Sequence, residues 1–478
     1  MRKPRSKWKW IAALGFTALA WRHCAAEEPT EVTLHVELGS GARGAAAQWE
    51  PAFGDDDVKV VESAPLFDRS EGELAQDRAM AVARSGEPMP DLGAWRSVRV
   101  RGDRRSIDKA LLRLRERADV VTAFEAPKPE LPYMPSSMIR ASGSCPIKTP
   151  PYDEKQGYLK PAPAGIDAAY AWGKPGGRGD KVWFADIEGA WNTKHEDIPG
   201  DRVELIGRAM WGRDWEMHGT AVLGEVVART NDLGMVGIAP DVPRVFTSSV
   251  AWASAAKAID RAQAKMRPGD VLLIELHATG PRGRFLPMEF WDDVFDVIKI
   301  ATARGIVVIE AAGNGFEDLD HEAYEKKFDR KKRDSGAIMV GAGAPAAPGW
   351  TDRSRLDFSN YGGRVDVQGW GRAVATLDYG DLQGCDATGR KYTNEFAGTS
   401  SASPIVAGAA ILIESIYKTE KGCPLAPLEL RKVLATTGSP QTDGPHGPAK
   451  QNIGPRPNLA KAIDKARSAV LGCDDRSE

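Results

Sequence analysis

The chain has 478 residues, 42% hydrophobic and 27% charged, which is the balance of an ordinary globular protein long enough for more than one folding unit. Its 64 basic and 66 acidic side chains nearly cancel, so neither a nucleic-acid surface nor a polybasic membrane anchor is expected. Partners must be read from the chemistry of particular residues.

The N-terminus carries Arg2, Lys3, Arg5, Lys7 and Lys9, then an apolar run from Trp10 to Trp21 and small residues up to Ala26. That pattern predicts a signal peptide over residues 1–26 and a secreted or periplasmic protein. The run is too short for a span and no later segment reads as apolar enough, so no stable membrane insertion is expected. Cleavage after Ala26 leaves Cys145, Cys385, Cys423 and Cys473, an even set that predicts two disulfides. Of the three pairings, Cys145 with Cys385 and Cys423 with Cys473 is favoured, the second by proximity; none has the close spacing of a zinc site.

Residues 27–126 read as a small α+β unit. Val32 to Leu38, Trp95 to Val100 and Val120 to Phe124 are strand-like, and Ser106 to Arg117 repeats Ile107, Leu111, Leu114 and Ala118 at helical spacing. Residues 127–151 form a proline-rich linker, expected to be extended, exposed and open to proteolysis. Over residues 152–478, strands at Val182 to Ile187, Val245 to Val250, Val271 to Leu276, Ile306 to Ala311 and Ile338 to Ala342 alternate with helices. The helices are Ser254 to Met266, Met288 to Ala303, Ser400 to Tyr417 and Leu425 to Ala435. Such alternation implies an α/β domain with a mostly parallel sheet covered on both faces, its site beyond the carboxyl ends of the strands.

Four motifs carry chemistry. Gly398 to Pro404 opens an apolar helix and puts Ser400 at its N-terminus, beside N–H groups that favour a developing negative charge. Asp186 ends an apolar strand, and His218 stands in His-Gly-Thr at the start of an apolar helical run. Asn314, in Ala-Ala-Gly-Asn-Gly at a strand exit, can donate to an oxyanion without adding charge. Together they divide one labour: Ser400 attacks a carbonyl, His218 moves the proton, Asp186 orients the imidazole, and Asn314 with the Ser400 N–H holds the oxyanion.

The order Asp, His, Ser resembles that of the subtilisin-like serine peptidases over about Tyr152 to Leu471, and Asn231 to Pro240 resembles the loop after the family's histidine helix. The resemblance implies a three-layer αβα fold, a pro-domain at residues 27–126 that assists folding and blocks the cleft, and protein or peptide substrates. It also implies no cofactor for the chemistry, and structural calcium, for which Asp197, Asp201, Asp318 and Asp320 are among the available donors without forming a recognisable loop. Where the family's substrate-binding strand has Ser-Leu-Gly, this chain has Glu275, Leu276 and His277; these and Gly313 are expected to bind substrate, with Glu275 or His277 facing it. The chain departs from the pattern after Asp186, where Ile187 and Glu188 precede Gly189. A sedolisin-like peptidase is disfavoured by His218 and Asn314, and a non-catalytic peptide-binding protein by the complete triad; oligomeric state is left open.

Overall fold

The structure is a computed structural model that describes residues 29–39, 53, 58–131, 144–385 and 389–468. The expected signal peptide and Cys473 lie outside the described residues.

The first unit contains β1 (Thr30–Leu38), β2 (Val58–Pro65), α1 (Glu71–Ser85), β3 (Trp95–Gly102), α2 (Arg104–Arg115) and β4 (Val120–Glu125). Its strands form an antiparallel sheet in the order β2-β3-β1-β4. Strand alternation turns Val32, Leu34 and Val36 toward Ile107, Ala110 and Leu114 of α2, so one sheet face is closed by that helix. His35 and Glu37 project from the other face. The sequence reading missed β2 and α1. The helix is announced by a capping box, Ser70 with Glu73, but few large apolar residues mark its face.

The second unit runs through β5 (Phe184–Glu188), β6 (Val203–Ile206), α3 (Arg213–Val227), β7 (Val245–Ser249), α4 (Ala255–Gln263) and β8 (Val271–Ile274). A hairpin of β9 (His277–Thr279) and β10 (Phe285–Pro287) follows, then α5 (Asp292–Ala303), β11 (Val307–Ala311), β12 (Ile338–Gly343) and β13 (Val367–Trp370). Strands β14 (Val374–Leu377), β15 (Gln383–Gly384) and β16 (Lys391–Phe396) make a small separate sheet ahead of α6 (Thr399–Lys421), α7 (Pro427–Thr437) and α8 (Leu459–Ser468). The main sheet has seven strands in the order β13-β12-β11-β8-β5-β7-β6, all pairs parallel.

Because β-strand side chains alternate, each face of this sheet has its own core. Phe184, Val271, Leu273 and Ile309 pack with α3, α6, α7 and α8; Ala185, Ile187, Leu272 and Ile274 pack with α4 and α5. That is the expected three-layer α/β architecture. The first unit covers α4 and α5, burying Phe67, Leu74, Ala81 and Trp95 in the same cluster. Burying a large apolar side chain stabilises by roughly 1.5–3 kcal/mol, so this surface is a substantial anchor.

Two expectations need correction. Helix α6 is long and apolar enough to cross a membrane by length and composition, contrary to the reading that no later segment is, but its residues Thr399 to Tyr417 are buried inside the protein. His218 is not at a helix start, because α3 begins five residues earlier at Arg213. The expected linker is tied down at two points, where Glu130 N–H donates to His277 O at 3.0 Å and Cys145 is disulfide-bonded to Cys385. Cys423 is disulfide-bonded as well.

Candidate active site

Strand β5 brings two carboxylates to one face, since Asp186 and Glu188 are two residues apart. Only the second reaches the histidine. Glu188 Oε2 lies 2.5 Å from His218 Nδ1, and its Oε1 accepts the Gly189 N–H at 2.9 Å. Asp186 sits one pleat deeper and accepts the Trp191 indole N–H at 2.7 Å. Burial, reinforced by the Glu188 charge, pushes the Asp186 carboxyl well above the usual carboxylate range. The carboxylate in contact with His218 is thus Glu188 and not the expected Asp186. Strand β5 runs one residue further than expected, to Glu188, and the acid that meets His218 is the one at its exit.

His218 is buried on α3 and packs edge-on against Phe396, with ring centroids 5.5 Å apart. Gly219 allows the helix to approach the turn after β5: a Cβ there would lie 2.3 Å from Ala190 O. With Nδ1 facing a carboxylate, that nitrogen is placed to donate to Glu188. Nε2 is buried without a hydrogen-bond partner.

Ser400 is the second residue of α6 and is buried. Gly398 before it has φ +115°, and a Cβ there would lie 3.2 Å from Asn314 Nδ2 and 3.4 Å from Ser400 N. A side chain at this position is therefore strained and crowds both groups. Gly398→Val is expected to fold with a near-parental melting temperature and to lose at least about tenfold in peptide turnover, on a strain of order 1–3 kcal/mol. Parental turnover in the folded variant would refute this.

Asn314 is oriented by α6. Its Oδ1 accepts the Thr399 N–H at 2.9 Å and the Thr399 hydroxyl at 3.1 Å, which fixes Nδ2 as the free donor end. Gly313 O, beside it, accepts the Asn360 N–H at 3.1 Å.

The three residues after β8 diverge. Glu275 is buried against α6, with Oε1 2.7 Å from Ser403 Oγ, so it does not line a substrate cleft as anticipated. Leu276 is buried in the opposite core, with α4 and α5. His277 exposes its carbonyl to the linker strand, while its ring stacks on Phe285 at 4.2 Å and accepts the Asn314 N–H at Nδ1, at 3.4 Å. Burial lowers its pKa to about 3, so the ring is neutral at working pH. Glu225, two turns beyond His218 on α3, went unnoticed in the sequence; it is fully buried and both of its carboxyl oxygens lack partners. The seven-residue spacing from His218 was the available signal.

The aspartates considered for calcium are turned to protein partners. Asp197 accepts from Asn231 and the Met235 N–H, Asp201 pairs with Arg229, and Asp320 accepts the Gly363 N–H. They do not converge, and among the described residues no cluster of three or more acidic, His or Cys side chains is arranged to hold a metal. Among the described residues, these aspartates do not form a calcium cage.

A sequence model of the subtilase family, Peptidase_S8, matches residues 201–456, more than half of the chain, and spans His218, Asn314 and Ser400 but not β5. Subtilisin DY of Bacillus licheniformis is 30% identical over 271 residues, which is 55% of this chain and 86% of that protein. An intracellular serine protease of Paenibacillus polymyxa is 25% identical over 307 residues, 58% of this chain and 81% of that protein. Among solved structures, the epidermin leader peptide processing serine protease of Staphylococcus aureus shares the fold with a TM-score of 0.55 at 14% identity, covering 92% of this chain and all of that one. Fervidolysin of Fervidobacterium pennivorans does so with a TM-score of 0.52 at 16% identity, over 92% of this chain and 61% of that one. By this family match, and in agreement with its fold, the chain belongs to the subtilase family and is a serine endopeptidase, whose chemistry needs no cofactor.

Proposed function

We propose that peptide bonds are cut by Ser400, with His218 as general base and acid, Glu188 as the orienting carboxylate, and Asn314 Nδ2 with the Ser400 N–H as the oxyanion hole. The observation that carries this reading is the 2.5 Å contact of His218 Nδ1 with Glu188, which leaves Nε2 bare as the basic atom. Ser400 Oγ attacks the substrate carbonyl as Nε2 takes its proton, and the imidazolium then returns that proton to the leaving amine. Glu188 stabilises the imidazolium while it lasts. Negative charge on the tetrahedral oxygen falls at the positive end of α6. The test is a serine-directed fluorophosphonate probe applied to the parent and to Ser400→Ala. Labelling and peptide turnover that both vanish in the variant support the assignment; labelling that persists would remove Ser400 from the chemistry.

The protein is further read as an exported, self-inhibited precursor whose residues 27–126 act as pro-domain. Two features support this: Glu130 lies antiparallel to β9 as an incoming strand would, and the first unit is held on α5 by His35 to Asp293 at 2.8 Å and Trp95 to Asp296 at 3.0 Å. The Cys145–Cys385 bridge suits an oxidising compartment.

This interface carries a pH dependence. Burial and the neighbouring Asp292 raise Glu37 to about 7, and burial, with Glu37 and Asp292, raises Asp296 to about 7. Acids raised by association are bound in their protonated form. The grip is therefore fullest below the ordinary carboxylate range near 4 and is lost as pH rises through 7. With the linker trimmed by trypsin in a Ser400→Ala background, the first unit should elute with the rest of the chain at pH 5 and dissociate at least about tenfold more readily at pH 8, ~1.4 kcal/mol or more. Equal retention at both values would refute the dependence.

A further inference from the structure

Glu275 stands beneath the nucleophile on the same sheet face as Asp186 and Glu188, and nothing in the proposed chemistry uses it. Its hydrogen-bond geometry bears on its charge. Ser403 Oγ lies 2.7 Å from Glu275 Oε1 and also 2.7 Å from Thr399 O. A serine hydroxyl has one proton, and a backbone carbonyl can only accept it. With that proton given to Thr399 O, the short contact to Glu275 needs its proton from the carboxyl. The other oxygen, Oε2, has no hydrogen-bond partner, and the Ser400 hydroxyl bears on the same carboxyl.

We propose that Glu275 is a positioning residue for the nucleophile: held as a neutral carboxylic acid, it donates to Ser403 Oγ and offers Oε2 to the Ser400 hydroxyl. The inference rests on Ser400 being the nucleophile. A neutral carbonyl oxygen is a weak acceptor, able to orient Ser400 Oγ without retaining the proton that His218 must take. An ionised Glu275 would hold that proton by a charge-assisted bond and oppose the oxyanion. The titratable groups that bear on Glu275 are the acids Asp186 and Glu188 from β5 and Glu225 from α3. Burial, reinforced by Asp186 and Glu188, keeps its proton on well above the usual carboxylate range and outweighs the Ser403 and Ser400 hydroxyls, which pull the other way.

The experiment compares the full chain with Glu275→Gln, Glu275→Ala, Ser403→Ala and Ser400→Ala, measuring fluorophosphonate labelling rate and peptide kcat and KM from pH 5 to 10, with melting temperature as the folding control. Glu275→Gln keeps one donor and one acceptor and is expected within about threefold of the parent at pH 7, whereas Glu275→Ala loses at least about tenfold in kcat and labelling with KM unchanged. The parent should also lose rate at alkaline pH as Glu275 ionises, a limb absent from Glu275→Gln and moved to lower pH in Ser403→Ala, where the neutral acid has lost its acceptor. Parental rates in Glu275→Ala, or an alkaline limb that persists unchanged in Glu275→Gln, would overturn the proposal while leaving Ser400 as nucleophile. A parent that labels no faster than Ser400→Ala would overturn both.

Discussion

Glu188→Gln is expected to lower kcat by about 10⁴, the scale of losing the carboxylate that holds a catalytic imidazole in its working tautomer. The amide can present either its oxygen or its NH2 to His218 Nδ1. In neither case does it stabilise an imidazolium as a carboxylate does, and the loss of about 5.5 kcal/mol follows from that missing charge. Asp186→Asn should behave differently. Its partner is the Trp191 N–H, which an amide oxygen also accepts, and burial already disfavours the charged form of Asp186. A change within about tenfold is expected there, with fold and KM preserved. Measuring kcat and KM for both variants decides the matter: a collapse in Asp186→Asn beside a mild effect in Glu188→Gln would return the role to Asp186.

Asn314→Ala should cost about 10² to 10³ in kcat with KM little changed, the scale known for subtilisin rather than one calculated for this chain. The reason is geometric. Thr399 engages Oδ1 twice, so the amide presents Nδ2 as a preset donor, and that donor is needed only when the carbonyl oxygen becomes an oxyanion. Asn314→Asp keeps the acceptor for Thr399 but replaces the donor with negative charge, and should be worse still. If either variant spent its loss in KM, Asn314 would be a substrate-binding group and not a transition-state one.

The proposed nucleophile, base and amide were legible because each sits in a short motif whose chemistry is local. Ser400 needs only the start of α6, Asn314 only a strand exit flanked by glycines, and His218 only a helix that glycine lets approach its neighbour. The alternation of apolar strands with amphipathic helices likewise announced the layers, since a parallel sheet must bury both faces. Missed elements were those with weak apolar signals, such as β2 with its mostly exposed pattern and α1 with few large apolar residues.

What the sequence by itself determined is the class of fold and three of the groups proposed for the chemistry, Ser400, His218 and Asn314, because these rest on local composition and periodicity. The tertiary structure alone decided which carboxylate meets His218, that Glu275 turns under Ser400 and not toward substrate, and that the linker lies on β9. Those outcomes depend on where a strand ends and which face a side chain takes. A shift of one residue reverses the face and a shift of two moves a carboxylate a whole pleat, and only the packing of β5 and β8 against α3 and α6 fixes that register.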